Sequence, residues 1–181
     1  PHLVITPEKG MARLANVLII TPLRFVFLIT LVGTTVEVLT QRSRDEFRIK
    51  RWRQRVQDHS VIVGFGVKGR AALTTLTEQG TPASQVVVVT HDRLSLNEAT
   101  ALGAVGVLGD ATREEVLTEA LVPSAKRVIV ALDRDDTAVL VTLTARRLNP
   151  TATIVASVRE SQNIGVVRQS GADAVIPTSE S

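Results

Sequence analysis

The run Ser60–Val61–Ile62–Val63 passes directly into Gly64–Phe65–Gly66–Val67–Lys68–Gly69, and a helix-like segment follows. This is the layout of a buried strand, a tight turn and a helix N-terminus that receives a phosphate. Gly64 permits the turn, Gly66 lets an anion approach the backbone, and Gly69 allows the helix to pack close to the strand. The free N–H groups and positive dipole end of the helix then face the anion.

Downstream, apolar runs alternate with helical stretches. Strands are expected at Val61–Val63, Gln85–Thr90, Val105–Leu108, Arg127–Leu132, Thr153–Val158 and Ala174–Ile176. Helices are expected at Val67–Glu78, Leu94–Leu102, Arg113–Leu121, Asp136–Leu148 and Ser161–Ser170, punctuated by Gly80, Pro82, Gly103, Pro123, Asn149–Pro150 and Gly171. Continuous Val/Ile runs mark strands buried on both faces, hence a parallel sheet under helices. The fold class is α/β: a Rossmann-like, doubly wound, parallel six-stranded sheet, preceded by one transmembrane-type helix and a charged linker helix. Right-handed crossovers bring Gly64–Gly69, Thr90–Arg93, Gly109–Thr112 and Asp133–Thr137 to one edge of the sheet.

The chain of 181 residues has no cysteine, which excludes disulfides and thiolate metal sites. Its three histidines, His2, His59 and His91, show no metal-ligand spacing. Aromatic residues are too few for a base-stacking surface, and no nucleic-acid partner is expected. The net charge of +3 is unevenly placed. From Asp58 onward there are 11 Lys/Arg against 14 Asp/Glu, a net of −3, which leaves +6 on residues 1–57.

Much of that positive charge lies in Arg42, Arg44, Arg48, Lys50, Arg51, Arg53 and Arg55. It follows Leu14–Val36, which is apolar apart from Asn16, the threonines and Arg24. As a helix this segment reaches about 35 Å, enough to cross a bilayer. It is too long for a signal peptide, and no small-residue cleavage site follows. Pro22, Arg24 and Gly33 interrupt it, and such residues are tolerated where they face protein or water. The alternative is a buried helix, or two helices split at Pro22. The division expected is residues 1–40 as a segment with a transmembrane-type helix, 41–58 as a basic linker and 59–181 as a nucleotide-binding domain. A basic flank after an apolar helix places residues 12–40 in the cell (inner) membrane and 42–181 in the cytoplasm.

In nicotinamide enzymes an acid about 20 residues after the glycine motif holds the ribose. Thr90 stands in that slot and Asp92 two residues later; Asp92 is either a ribose ligand or the cap of the next helix. Arg93 suits a 2′-phosphate. Thr112 fits an N-cap with Glu115 completing a capping box, and Asp110 a ligand or a loop amide. Lys68 and Arg70 either meet phosphate or are solvated. Asp133, Asp135 and Asp136 fit a helix start better than a cation site. No nucleophile–base constellation emerges and no substrate domain follows, so an enzyme is not expected.

Taken together, Val61–Gly69, Gly109–Asp110–Ala111–Thr112–Arg113–Glu114–Glu115–Val116–Leu117, Leu132–Asp133–Arg134–Asp135–Asp136–Thr137, Ala145–Pro150 and Ser170–Ile176 resemble the regulator of K⁺ conductance (RCK) domain, also called the potassium-transport nucleotide-binding domain. The resemblance covers His59–Ser181. Upstream, Thr21–Phe25 through Gly33–Thr35 is similar to the inner pore helix of bacterial channels that carry such domains, and Val4–Pro7 to the residues after the selectivity filter. The resemblance implies a ligand-sensing gating domain. A ring of such domains binds a nucleotide or ion and pulls on the inner helices, with Gly33 as hinge.

The candidate ligand set is Gly64, Phe65, Gly66, Val67, Lys68, Gly69, Thr90, Asp92, Arg93, Asp110, Ala111, Thr112 and Asp133. The expected ligand is a nucleotide, NAD(H) or an adenine nucleotide. The expected partners are further copies, in dimers and a tetrameric or octameric ring, and potassium ions in the intact channel. The Thr-Val-Gly-Tyr-Gly filter is absent, so the resemblance implies a piece of a longer channel. The chain ends where the family's crossover helix usually begins, so the full ring is not expected from these residues alone. Ser157 and Arg159 replace the two carboxylates of calcium-gated relatives, so no metal site of that kind is expected. The competing readings are a regulatory subunit of a K⁺ transporter, an NAD(P)-dependent oxidoreductase and a structural fold with a vestigial crevice.

Overall fold

The computed structural model describes residues 23–32 and 58–178. The chain divides into two compact units, Pro1–Arg51 and Trp52–Ser181.

In the second unit the elements follow in order: β1 (Ser60–Val63), α1 (Val67–Glu78), β2 (Val86–Thr90), α2 (Arg93–Ala101), β3 (Val105–Leu108), α3 (Glu114–Glu119), β4 (Arg127–Val130), α4 (Asp135–Leu148), β5 (Thr153–Val158), α5 (Ile164–Gln169) and β6 (Ala174–Pro177). The sheet order is β3-β2-β1-β4-β5-β6, and every neighbouring pair is parallel. The expected Rossmann-like sheet is therefore present, and its order reverses between β1 and β4, where such folds open a crevice.

Alternation within the valine runs builds two cores. Ile62, Val86 and Val88 turn to one face, against Leu73 and Leu76 of α1 and Ala99 of α2. Val61, Val63, Val87, Val89, Val128 and Val130 turn to the other, against Leu117 of α3, Ala138, Val141 and Ala145 of α4, and Val167 of α5. Burial on both faces is what makes these strands continuous in apolarity rather than alternating.

The expected element boundaries shift only at the ends. β4 stops at Val130; one further bond, from the Ala131 N–H to the Val63 carbonyl at 2.8 Å, extends the ladder. Leu132 then belongs to the loop, because its carbonyl is taken by a lysine side chain at 2.7 Å. α5 begins at Ile164, after a 3₁₀ turn over Ser161–Asn163. Thr112 does not cap α3. The N-cap is Arg113, without a side-chain cap, because the Thr112 hydroxyl donates instead to Asp110 Oδ1 at 2.8 Å.

In the first unit, residues 23–32 are helical. Among the described residues no helix is long and apolar enough to cross a membrane, so the expected transmembrane helix is not shown. Residues 14–22 and 33–36 of that expected span, and linker residues 41–57, lie outside the described residues.

Candidate nucleotide-binding site

A cleft of about 600 Å³ opens at the carboxyl ends of β1, β2, β3 and β4. Eight of the candidate residues line it: Gly64, Phe65, Gly66, Thr90, Asp92, Asp110, Ala111 and Asp133. Val67, Lys68, Gly69, Arg93 and Thr112 are not among the lining residues.

The glycine turn has three distinct jobs. Gly64 adopts φ +91°, and a Cβ there would sit 2.6 Å from the Ala131 carbonyl oxygen. At Gly69 a Cβ would collide with the Gly64 carbonyl oxygen, so α1 packs on β1 only without one. Gly66 is different. A Cβ would meet only Asp133 Oδ2, at 4.0 Å, so the space above it is open. Gly66 is the N-cap of the twelve-residue α1, no side chain caps it, and the first turn has no acidic residue. Its leading N–H groups thus carry no side-chain cap, beside a cleft that Gly66 itself lines, as phosphate binding requires.

The candidate basic residues are otherwise engaged. Lys68 Nζ donates to the Leu132 carbonyl at 2.7 Å and pairs with Asp133 Oδ1 at 3.4 Å. Arg70 makes a two-pronged pair with Glu98, at 2.6 and 2.5 Å, and lies over the Phe65 ring at 5.6 Å. It joins α1 to α2 rather than meeting phosphate.

The carboxylates largely serve the loops. Asp92 caps α2 by accepting from the Ser95 N–H at 2.8 Å, which holds its carboxyl below the usual range. The Thr90 hydroxyl accepts from the Asp92 N–H at 3.2 Å. Asp110 accepts from the Thr112 N–H and hydroxyl, at 2.9 and 2.8 Å, and the amide bond lowers its carboxyl likewise. Asp135 and Asp136 form the first turn of α4, so the acidic run is a helix start. Among the described residues no group of three potential ligands is placed to hold a metal ion.

Ser95, Ala131 and Leu132 also line the cleft, together with His91, Arg134 and Thr137 from loops already expected at this edge. Ser95 is there because its N–H bonds Asp92; the Asp-x-x-Ser spacing of an N-cap was its only signal. Leu132 falls inside the expected strand Arg127–Leu132, beyond the observed end of β4 at Val130.

A six-stranded α/β domain with an open, uncapped glycine turn at its switch point defines a nucleotide-binding domain of Rossmann type. The chain belongs to the TrkA-N domain family, whose model matches residues 60–178. It is 29% identical over 150 residues to "Probable potassium channel protein 2" of Methanocaldococcus jannaschii, covering 81% of this chain and 44% of that protein. The crystal structure of the TrkA-N domain of the inner membrane protein YbaL from Escherichia coli is similar with a TM-score of 0.63 and 26% identity, over 68% of this chain and 90% of that one. The GsuK channel bound to NAD is similar with a TM-score of 0.60 and 27% identity, over 68% of this chain and 22% of that chain. The chain thus spans less than half the length of the potassium-channel relative it matches. These relatives are potassium-channel and inner-membrane proteins. The RCK expectation is borne out at the level of the family, and the inner pore helix is not shown.

Proposed function

We propose that this chain is the ligand-sensing part of a potassium channel. It binds NAD(H) or an adenine nucleotide in the cleft at the ends of β1–β4 and passes the binding on to a pore. The observation that carries this reading is Gly66, an open and uncapped entry to α1 in a cleft whose other walls are already built. Family membership and the NAD-bound GsuK relative support it.

The coupling acts by population shift: the ligand opens the pore only as far as it binds the open arrangement better than the closed one. Residues 12–40 are proposed as the membrane-embedded segment, with residues 42–181 cytoplasmic. In support, the apolar side chains of the described helical residues 23–32 are all exposed, and a helix apolar all round belongs in lipid or a large core. Self-association into dimers and a tetrameric or octameric ring completes the proposal, supported by Leu140 and Leu143 exposed on α4. Potassium ions would pass through the intact channel.

The test is thermal melting of the full chain against NAD, NADH, ADP, ATP and AMP, with Gly66→Asp as control. A nucleotide at 100 times its Kd should stabilise by about 2.7 kcal/mol, and a carboxylate at position 66 should abolish the effect. No shift with any nucleotide from folded protein would overturn the reading.

A further inference from the structure

The open space over Gly66 is bounded by one charge. Asp133 stands in the β4–α4 loop with its two oxygens divided: Oδ1 faces Lys68 Nζ at 3.4 Å, and Oδ2 lies 4.0 Å from where a Cβ of Gly66 would be. A phosphate resting on the α1 N-terminus would therefore meet a carboxylate oxygen. The Asp133 side chain is 84% exposed, so its placement follows from the lysine pair rather than from packing.

Of the nearby cations, Lys68 faces Asp133 Oδ1 at 3.4 Å and offsets part of this charge while shared with a backbone carbonyl, and Arg134 is held elsewhere. Lys68 donates to the Leu132 carbonyl at 2.7 Å, and Arg134 is bound to Asp136 at 3.1 and 2.5 Å. The other lining carboxylates, Asp92 and Asp110, accept from their own loops. An anion in the cradle thus gains backbone N–H groups and the helix dipole, and faces Asp133 across the gap.

Resting on the nucleotide reading above, we propose that Asp133 is a specificity-determining residue. It favours the diesterified pyrophosphate of a dinucleotide over the terminal phosphates of ADP and ATP. Each phosphorus of a diester carries a single negative charge, whereas a terminal phosphate ionises a second time with a pKa of about 6. The added charge lies within a few ångströms of Asp133, well inside a Debye length, where repulsion between unit charges persists even in water. Neutralising Asp133 relieves that repulsion in proportion to the charge of the phosphate.

The experiment is isothermal titration of the full chain with NAD, ADP and ATP, free of divalent cations, for the native protein, Asp133→Asn, and Glu78→Gln at the far end of α1. NAD should bind the native protein more tightly than ADP, and ADP more tightly than ATP. Asp133→Asn should raise the affinity for ADP relative to NAD by about tenfold and that for ATP further, while Glu78→Gln leaves the ratios unchanged. NAD binding with the same ADP/NAD ratio in native protein and Asp133→Asn would overturn this inference and leave the nucleotide reading standing. Absence of binding by all three ligands to native protein and variant alike, with folding confirmed by circular dichroism, would overturn both.

Discussion

At the scale of the residue, the three glycines of one motif differ in what they protect. Gly64→Ala forces a side chain into φ +91° and against the Ala131 carbonyl, and should cost about 2–4 kcal/mol. Gly69→Ala should cost a similar amount, because the obstruction is backbone. Gly66→Ala should lie within about 1 kcal/mol of native stability yet weaken nucleotide binding, since its Cβ enters only the open cradle. Urea denaturation beside titration calorimetry separates these outcomes, and equal stability loss at all three sites would refute the division. His59 carries a second residue-scale prediction. It is fully buried, its Nε2 lies 3.3 Å from the Ala120 carbonyl oxygen, and burial lowers its pKa below 6.5. The unfolded chain then takes up a proton that the native state resists. Stability should be full above pH 6.5 and fall as pH drops below it. Melting between pH 7.5 and 5.5 should show this slope, and His59→Gln should flatten it. The glycine roles were legible in the sequence because each follows from the absence of a Cβ at a fixed place in a strand–turn–helix. The engagement of Lys68 was not, since its partners Leu132 and Asp133 are over 60 residues away and meet it only through the β1–β4 pairing.

At the scale of the element, the acidic start of α4 ties two crossovers together. Asp135 accepts from the Arg159 and Glu160 N–H groups at 2.8 and 3.0 Å and from the Asn163 side chain at 2.8 Å. It thereby fixes the loop between β5 and α5. Burial works against its ionisation, and the hydrogen bonds from Arg159, Asn163 and Glu160, with Lys68 nearby, outweigh that and hold the carboxyl below its ordinary value. A depressed carboxyl stabilises the fold above its unfolded pKa and loses that contribution as pH falls below about 4. Asp135→Ala should therefore speed hydrogen exchange at the Arg159 and Glu160 amides while leaving nucleotide affinity near native. Unchanged exchange would show that the loop is held by packing alone. The sequence places this helix correctly, because carboxylates before an apolar-periodic run mark an N-terminus. What those carboxylates hold was not legible, since Asp135 acts across the β4–β5 pairing. The same holds for Asn149, read as a helix stop. Its buried amide donates to the Val122 and Ala125 carbonyls at 2.9 Å each, and its oxygen accepts from the Thr151 and Ala152 N–H groups.

At the scale of the whole molecule, the N-terminal stretch and the remainder of the chain differ in chemistry. Residues 1–57 carry +6 and the apolar segment, and the rest carries −3. Two kinds of membrane attachment follow from that composition, and only one of them is weakened by salt. Attraction of the Arg42–Arg55 run to anionic lipid is electrostatic and is screened within about 3 Å at 1 M salt. Insertion of an apolar helix is driven by burial of its side chains in hydrocarbon and does not weaken with salt. Both terms pull toward an anionic bilayer, but only the second acts on a neutral one. If residues 12–40 are membrane-embedded as proposed, the full chain should float with vesicles of neutral phosphatidylcholine and stay with them through a 1 M salt wash. Replacing Arg42, Arg44, Arg48 and Arg51 by Gln should leave that retention intact. Release by salt, or flotation with anionic vesicles alone, would reduce the N-terminal segment to a peripheral basic arm. The cleft would then regulate something other than a pore fused to this chain.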